Sequence, residues 1–471
     1  MTPKVEEVCK EILGRIKPTE DEKRRVSSVV SKVIDELTKM IKSLGIDAMA
    51  ELQGSIAHKT WVSNERDIDI FILFSTNYAL DEIKRVGLEL GKEVSHGKWR
   101  ERYAEHPFIE ATIDDYRVDI VPCYKISEYS ERITAVDRTP LHTEYLSERI
   151  GEKNKDEIIL LKSFMKGIGV YGAELKVRGF SGYLCELLTL YYGSFEGVLR
   201  GALRWKTQEV IDIAEHYAEE ETVVTVFKEP LIIIDPVDPT RNVAAAVSSD
   251  RIADLKAAAR AFIQDPSPRF FRPPEVMPLS TKEIERLIVT RKTDTLFIQF
   301  PCHKISPDIL WGELGKSAKT LKRIMELHDF TVIGYDAWSD EDSVAVIVLE
   351  LTSVNLPSIA IHEGPFAGHP SQERFLEKHL RNVRKVAGPW IKDGKWQVEL
   401  EREHANAKHL IETKLTGENL SELGLSRDIA EWIKEGIKVT LNEEILPLYS
   451  SNAAFRRFLT KYYTKRPDWL F

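Results

Sequence analysis

The sequence predicts an α+β protein of several domains, on three observations. The chain has 471 residues, more than one core of ordinary size absorbs. Stretches with helical apolar periodicity alternate with short β-branched and aromatic runs in the first 145 and the last 200 or so residues. Between them, from Asp156 to about Asp265, the chain reads as mostly helix.

A first helix is predicted within Lys4–Ile16. Pro18-Thr19-Glu20-Asp21-Glu22 opens a second, because Thr19 and Glu22 have capping-box spacing and acids suit a first turn. Val26, Val29, Val30, Val33, Leu37, Met40, Ile41 and Leu44 continue it as one apolar face ending near Gly45. Met49–Gln53 and Asp67–Phe74 read as strands and Ala79–Leu90 as a helix. Arg102–Tyr103, Ala111–Ile113 and Arg117–Val121 read as further strands of a mixed or antiparallel sheet. Ile158–Met165 and Gly182–Tyr192 are predicted helices, the latter with Ser181 as N-cap. Pro230, Pro236 and Pro239 punctuate the next stretch, and Pro266-Ser267-Pro268 with Pro273-Pro274 marks a boundary. Thr295–Phe300, Thr331–Trp338 and Ser343–Leu351 read as strands, Lys316–Leu327 as a helix, and Trp390–Trp396 as a hairpin turning at Asp393-Gly394.

Composition narrows the function classes. Apolar residues make up 43 % and charged residues 30 %, a soluble globular balance. The formal net charge of −9 weighs against general nucleic-acid affinity and leaves phosphate binding to local basic patches. Four cysteines, far apart and without a CxxC pair, suggest neither a zinc site nor a disulfide framework, and the expected setting is the reducing cytoplasm. The first residues carry charges and lack a long apolar run, so no signal peptide is expected. No uncharged apolar stretch reaches the roughly 18 residues of a membrane span, so no membrane partner is expected.

The chemistry concentrates in acids. Residues two apart on a strand share a face, so Asp67 and Asp69 project together, while Ile68, Ile70 and Ile72 supply the opposite face for a core. Two close carboxylates repel unless a cation lies between them. Asp119 is a third acid inside an apolar strand, Arg117–Val121. If the two strands are neighbours the acids converge, and such hard oxygen ligands favour Mg²⁺ or Mn²⁺. Asp67-Ile68-Asp69 alone is more often an acidic strand end facing water. Gly54-Ser55 changes the balance, because at a strand–helix turn Gly lets backbone approach a phosphate and the Ser hydroxyl donates to it.

Gly-Ser, an acid-x-acid strand and a later strand acid together resemble the DNA polymerase β nucleotidyltransferase superfamily. That resemblance implies two metal ions clamping the attacking hydroxyl and the triphosphate, with Asp67 and Asp69 on both ions and Asp119 on the ion beside the hydroxyl. Further blocks resemble the archaeal-type (class I) CCA-adding tRNA nucleotidyltransferases. They are Gly54–Trp61, Tyr103–Pro107, Val118–Tyr124, Ala135–Pro140 with His142, Ile168–Cys185, and Asp235-Pro236-Val237-Asp238 with Arg241–Ala244. The match is dense over about residues 50–250 and thinner beyond, where Gly364-Pro365 and the Trp390–Trp396 hairpin echo it.

The resemblance implies a polymerase-β-like catalytic head over 1–150 and a mainly helical neck over 151–265 that recognises the base. A ferredoxin/RRM-like α+β body follows over 266–305 and 375–471, with an α+β tail over 306–374 inserted in it. It implies addition of C, C and A to the tRNA 3′ end from CTP and ATP, without a template. Ser55, His142, Lys162 and Tyr171 would hold the triphosphate and Arg241 would read the base. Glu105 and His106 would lie near sugar and base, with Thr139 as a hydroxyl contact. Family members often carry arginine three residues after the serine; here His58 stands there, followed by Lys59, and either can contact phosphate. The first acid, often Glu in relatives, is Asp67. Homodimers through the later domains are also implied.

Basic residues cluster in Lys316–Arg323 and around Arg381, Arg384 and Lys385 beside Trp390. They suit phosphate tracking along the acceptor stem and TΨC arm, and they equally suit a solvated charged helix. Two other functions stay open: a poly(A) polymerase or oligoadenylate synthase on the same core, and a non-catalytic RNA-binding protein on that scaffold.

Overall fold

The structure is a computed structural model that describes every residue except Met1, Thr2, Ala104, Glu105, Val276, Glu418, Asn419 and Phe471. The chain forms two compact units, Met1–Glu275 with Pro467–Phe471, and Val276–Arg466.

The first unit holds the predicted catalytic sheet. β1 (Ala48–Gln53), β2 (Asp67–Phe74), β3 (Trp99–Tyr103), β4 (Pro107–Ile113) and β5 (Tyr116–Tyr124) lie in the order β1-β2-β5-β4-β3. The sheet is mixed: β2 runs parallel to β5, and the other neighbours are antiparallel. The predicted face of Ile68, Ile70 and Ile72 is buried against Val29, Val33 and Leu37 of the helix Glu20–Ser43 and Ile83 and Leu90 of the helix Leu80–Val94. The capping box at the first of these helices forms as the spacing predicts: Thr19 N donates to Glu22 Oε2 at 2.8 Å, and Glu22 N to Thr19 Oγ at 3.2 Å.

A second core lies over helices. The helix Pro3–Ile16 packs into it through Val5, Ile12 and Ile16, although it precedes the head in sequence. The helix Glu152–Gly167 is buried nearly all round, which fits its unbroken run Ile158–Met165. Gly182–Tyr192 is helical with Ser181 capping Leu184 N, as predicted. A three-stranded sheet follows, with β7 (Leu231–Asp235) between β6 (Glu209–Asp212) and β8 (Asp238–Asn242). The mostly helical reading missed it, although Leu231-Ile232-Ile233-Ile234 is the apolar run of a fully buried strand. Trp469 packs on Phe270, with ring centres 5.6 Å apart.

In the second unit, β9 (Asp294–Pro301), β10 (Val332–Ser339), β11 (Val344–Leu351) and β15 (Lys438–Leu441) form an antiparallel sheet ordered β10-β11-β9-β15. A smaller sheet joins β12 (Ile359–Phe366), β13 (Lys385–Lys392) and β14 (Lys395–Glu401) in the order β12-β14-β13, with the helix Gln372–Leu380 packed on it. Residues 344–351, inside the expected 306–374 tail, therefore pair with 294–301 of the expected body, and 332–339 join the same sheet through them. The β13–β14 hairpin turns at Asp393 and Gly394, with φ of 50° and 78°, the left-handed pair that Asp-Gly predicts.

Candidate active site

The β2–β5 register sets Asp67 against Arg117 and Asp69 directly against Asp119. All three acids lie on the face opposite the main core, with Asp69 and Asp119 paired across the two strands. Along that face, Phe71, Leu73, Val121 and Cys123 form a small apolar cluster that removes water from the acids' inner end. Burial, reinforced by Asp67, pushes the Asp69 carboxyl up to about 6. Burial also pushes the Asp119 carboxyl up to about 7, against the nearby Arg117 guanidinium.

Several observations fit a cation at this place. Asp119 Oδ1 is buried without a hydrogen-bond partner. Arg117 Nε lies 3.1 Å from Asp67 Oδ1 and 3.8 Å from Asp119 Oδ1, so its positive charge stands where a metal ion would relieve the same repulsion. Among the described residues no group of three or more His, Cys, Asp or Glu side chains is placed to hold a metal ion, and Asp67 faces Arg117 instead. Gly54, at φ +71°, lies so close that a Cβ there would meet Asp69 Oδ2 at 2.5 Å. Any other residue would both strain the turn and push into the carboxylate.

The acids open on a cleft of about 370 Å³ whose walls include Ser55, His58, Thr139, His142, Lys162 and Tyr171 together with Asp67 and Asp69. Six of the nucleotide-binding candidates thus share one cavity with two of the acids. Ser55 and His58 belong to the short helix Gly54–His58; Thr139 and His142 lie one turn apart on the helix Thr139–Arg149. Asp137 fixes the approach to that helix by accepting from Tyr124 N at 2.9 Å and Ile133 N at 3.0 Å.

The alternative between His58 and Lys59 resolves into two directions. His58 lines the cleft and its buried Nε2 has no hydrogen-bond partner, whereas Lys59 lines a separate cavity behind the helix. Lys162, the buried lysine that calls for an anion, has one within the protein: its ammonium donates to Glu186 Oε1 at 2.7 Å and Thr60 Oγ at 3.1 Å. Burial alone would raise the Glu186 carboxyl, but Lys162 and His58 outweigh it and hold it at about 2. His58 Nδ1 lies 3.3 Å from Glu186 Oε2.

Arg241 does not line this cleft. It borders a neighbouring cavity of about 530 Å³ with Arg132, Arg138 and Thr240. His106 is buried immediately before β4 and lines neither cavity, and Glu105 lies outside the described residues. In the second unit Arg381 and Arg384 are exposed; Arg384 contacts Glu403 at 3.3 Å, Lys385 donates to Leu380 O at 3.0 Å, and Trp390 is half-buried on β13. Sequence reasoning gave no role to Arg117, Glu186 or Asp235. The signal at Asp235 was visible: an acid ends a β-branched run, mirroring the acids that open the run at Asp67.

The comparisons with known proteins define a nucleotidyltransferase. A family model described as "Nucleotidyltransferase domain" matches residues 30–142. "tRNA nucleotidyltransferase, second domain" matches 156–272, and "CCA-adding enzyme, C-terminal domain" matches 291–442. The CCA-adding enzyme of Methanothermobacter thermautotrophicus is 38 % identical over 92 % of this chain and 93 % of its own length. That of Methanosarcina acetivorans is 35 % identical over 96 % and 97 %, and that of Pyrobaculum neutrophilum 37 % over 88 % and 94 %. Among solved structures, the Cid1 poly(U) polymerase bound to 3′-dATP covers 57 % of this chain and 96 % of its own at 17 % identity, with a TM-score of 0.45. The chain belongs to the family of CCA-adding enzymes, the tRNA nucleotidyltransferases. Nucleotidyltransferases of this kind generally use divalent metal ions. Among the described residues no helix is long and apolar enough to cross a membrane.

Proposed function

We propose that this chain adds C, C and A to the 3′ end of tRNA from CTP and ATP, without a template, on Asp67, Asp69 and Asp119. The observation that carries the reading is the β2–β5 register, which sets Asp69 beside Asp119 at the mouth of a cleft walled by Ser55, His58, Thr139, His142, Lys162 and Tyr171. Two divalent ions, Mg²⁺ or Mn²⁺, held by the three acids would neutralise the triphosphate and activate the 3′-hydroxyl. The hydroxyl oxygen bonds to the α-phosphorus, the bond from that phosphorus to the β-phosphate oxygen breaks, and pyrophosphate leaves. Asp119, on the ion beside the hydroxyl, would help to deprotonate it. Ser55, His58 and Tyr171 orient the triphosphate through their donors, His142 lines the same wall, and Lys162, through its Glu186 pair, fixes the wall behind them. Arg241, and Glu105 and His106 by resemblance, serve base and sugar.

The same reading assigns 1–150 to catalysis, 151–265 to base recognition, and the later residues to tRNA. Arg381, Arg384, Lys385 and Trp390 follow the acceptor stem and TΨC arm, which the exposure of Arg381 and Arg384 supports. A cytoplasmic homodimer joined through the second unit belongs to this reading, supported by Ile361, Phe366, Val386 and Ile391, which are exposed on the small sheet.

The test is incorporation on tRNA ending before CCA. Both CTP and ATP should enter, and synthesis should stop after the terminal A. Long A tails, or 2′–5′ products made without tRNA, would replace this function with that of a poly(A) polymerase or oligoadenylate synthase.

A further inference from the structure

Asp235 ends β7, is fully buried, and receives four donors. Its Oδ2 lies 2.7 Å from Arg241 Nη1 and 2.8 Å from His142 Nε2; its Oδ1 lies 3.1 Å from both Tyr183 OH and Val237 N. His142 and Tyr183 are stacked, with centres 4.1 Å apart, and both line the cleft of the acids. Arg241 borders the neighbouring cavity. One carboxylate therefore ties a wall of the nucleotide cleft to the arginine of the cavity beside it. The next acid in the motif, Asp238, works differently: it takes Arg132 at 2.7 Å and Arg138 at 2.8 Å and holds the rim of that second cavity alone.

We infer that Asp235 is a specificity-determining positioning residue, which fixes Arg241 and His142 against each other so that base and triphosphate are read as one rigid unit. This rests on the reading of Arg241 as the base contact and His142 as a triphosphate contact. Cytosine N3 and adenine N1 are acceptors flanked by an exocyclic amine, whereas uracil N3 and guanine N1 carry hydrogen. A guanidinium has donors only, so it suits C and A and repels U and G, provided it cannot turn away. An arginine free to rotate could relieve the mismatch with uracil, and its discrimination would fall. The bond from Asp235 to Nη1 removes that freedom. The bond to His142 settles which ring nitrogen carries hydrogen: an ionised carboxylate only accepts, so Nε2 is the donor.

The experiment compares kcat and KM for CTP, ATP and UTP on tRNA lacking CCA. Arg241→Ala and His142→Ala first test the underlying reading: if neither changes CTP use, that reading fails. Given that they do, Asp235→Asn should lower the CTP-over-UTP preference by about tenfold or more, chiefly through KM, with kcat changed less. Unchanged preference in a folded Asp235→Asn protein overturns the inference while leaving the site reading intact. Should that variant fail to fold, the cycle of His142→Ala and Arg241→Ala in the native Asp235 background decides. Joined residues should give a double variant whose CTP KM rises less than the product of the single effects; a full product overturns the inference.

Discussion

The first unit holds two sets of buried carboxylates, and their environments push them in opposite directions. Asp69 and Asp119, on the catalytic sheet, are raised to about 6 and about 7, chiefly by burial. Glu186 and Asp235, among the helices and the small sheet behind the cleft, are more deeply buried yet are held at about 2. The difference lies in partners. Glu186 has Lys162, and Asp235 has His142 and Arg241, whereas Asp119 Oδ1 has no hydrogen-bond partner and only the half-exposed Arg117 at 3.8 Å, and Asp69 faces another acid. Carboxylates supplied with cations by the fold brace the walls of the site. Carboxylates left short of positive charge are the ones that can take a metal ion.

The sharpest way to break this comparison is to remove a charge from each set. Asp69→Asn and Asp119→Asn should each lower nucleotide incorporation by on the order of 10³-fold or more, because several kcal/mol of charge stabilisation depends on these ligands. In metal-free protein the same changes should not destabilise, and Asp119→Asn should raise the melting temperature at pH 8. The sign follows from linkage. A carboxyl whose folded pKa is raised contributes stability that is fully present below its unfolded value of 3.8 and is lost as pH rises through about 7. The variant should therefore gain on the native protein progressively from about pH 4 to above pH 7, read as melting temperature against pH in a chelating buffer. A clear loss of metal-free stability in Asp119→Asn would place that acid in the bracing set instead.

Glu186→Ala should show the opposite pattern. It leaves the Lys162 ammonium, 1 % exposed, without its carboxylate, and breaking such a buried pair costs about 3–5 kcal/mol. Chemical denaturation should show the loss directly, with or without metal. The double change Glu186→Gln with Lys162→Met should recover much of it, since the cost lies in the orphaned charge. A Glu186→Ala protein as stable as the parent would mean that water or a rearranged His58 reaches Lys162, and the rigidity assigned to this wall would fall.

Sequence periodicity found the metal-seeking set far more easily than the bracing set. Asp67–Phe74 is a strand over the predicted residues because period-2 alternation places acids and isoleucines on opposite faces, a purely local pattern. Gly54 was legible as a turn glycine open to a phosphate, whereas its close approach to Asp69, which also demands a residue without Cβ, appears only in the fold. The bracing acids depend on distant partners. Glu186 sits in an apolar helix that looks like any core helix, and only the fold brings it to Lys162 from 24 residues away and to Thr60 from 126. Asp235 lies between prolines that read as punctuation, and its meaning appears only when His142 arrives from 93 residues earlier. The pairing of residues 344–351 with 294–301 in the second unit has the same cause: strand partners across a sheet leave no local mark.

The smallest expected effect tests the one cation the acid face does possess. Arg117 reaches toward Asp67 and Asp119 from its own place on β5, opposite Asp67, and its side chain is about half exposed, at 49 %. At that exposure its attraction for the acids is worth about 1 kcal/mol or less. The same positive charge opposes any metal ion placed between those acids. Arg117→Met keeps the length of the stem and removes the charge, so the Mg²⁺ concentration giving half-maximal incorporation should fall by about two- to fivefold, an effect that added salt should shrink. A rise in that concentration, or a large loss of rate at saturating Mg²⁺, would mean that Arg117 acts on the triphosphate. The positive charge beside Asp67 would then belong to substrate binding, and the acid face would be less short of cations than its geometry implies.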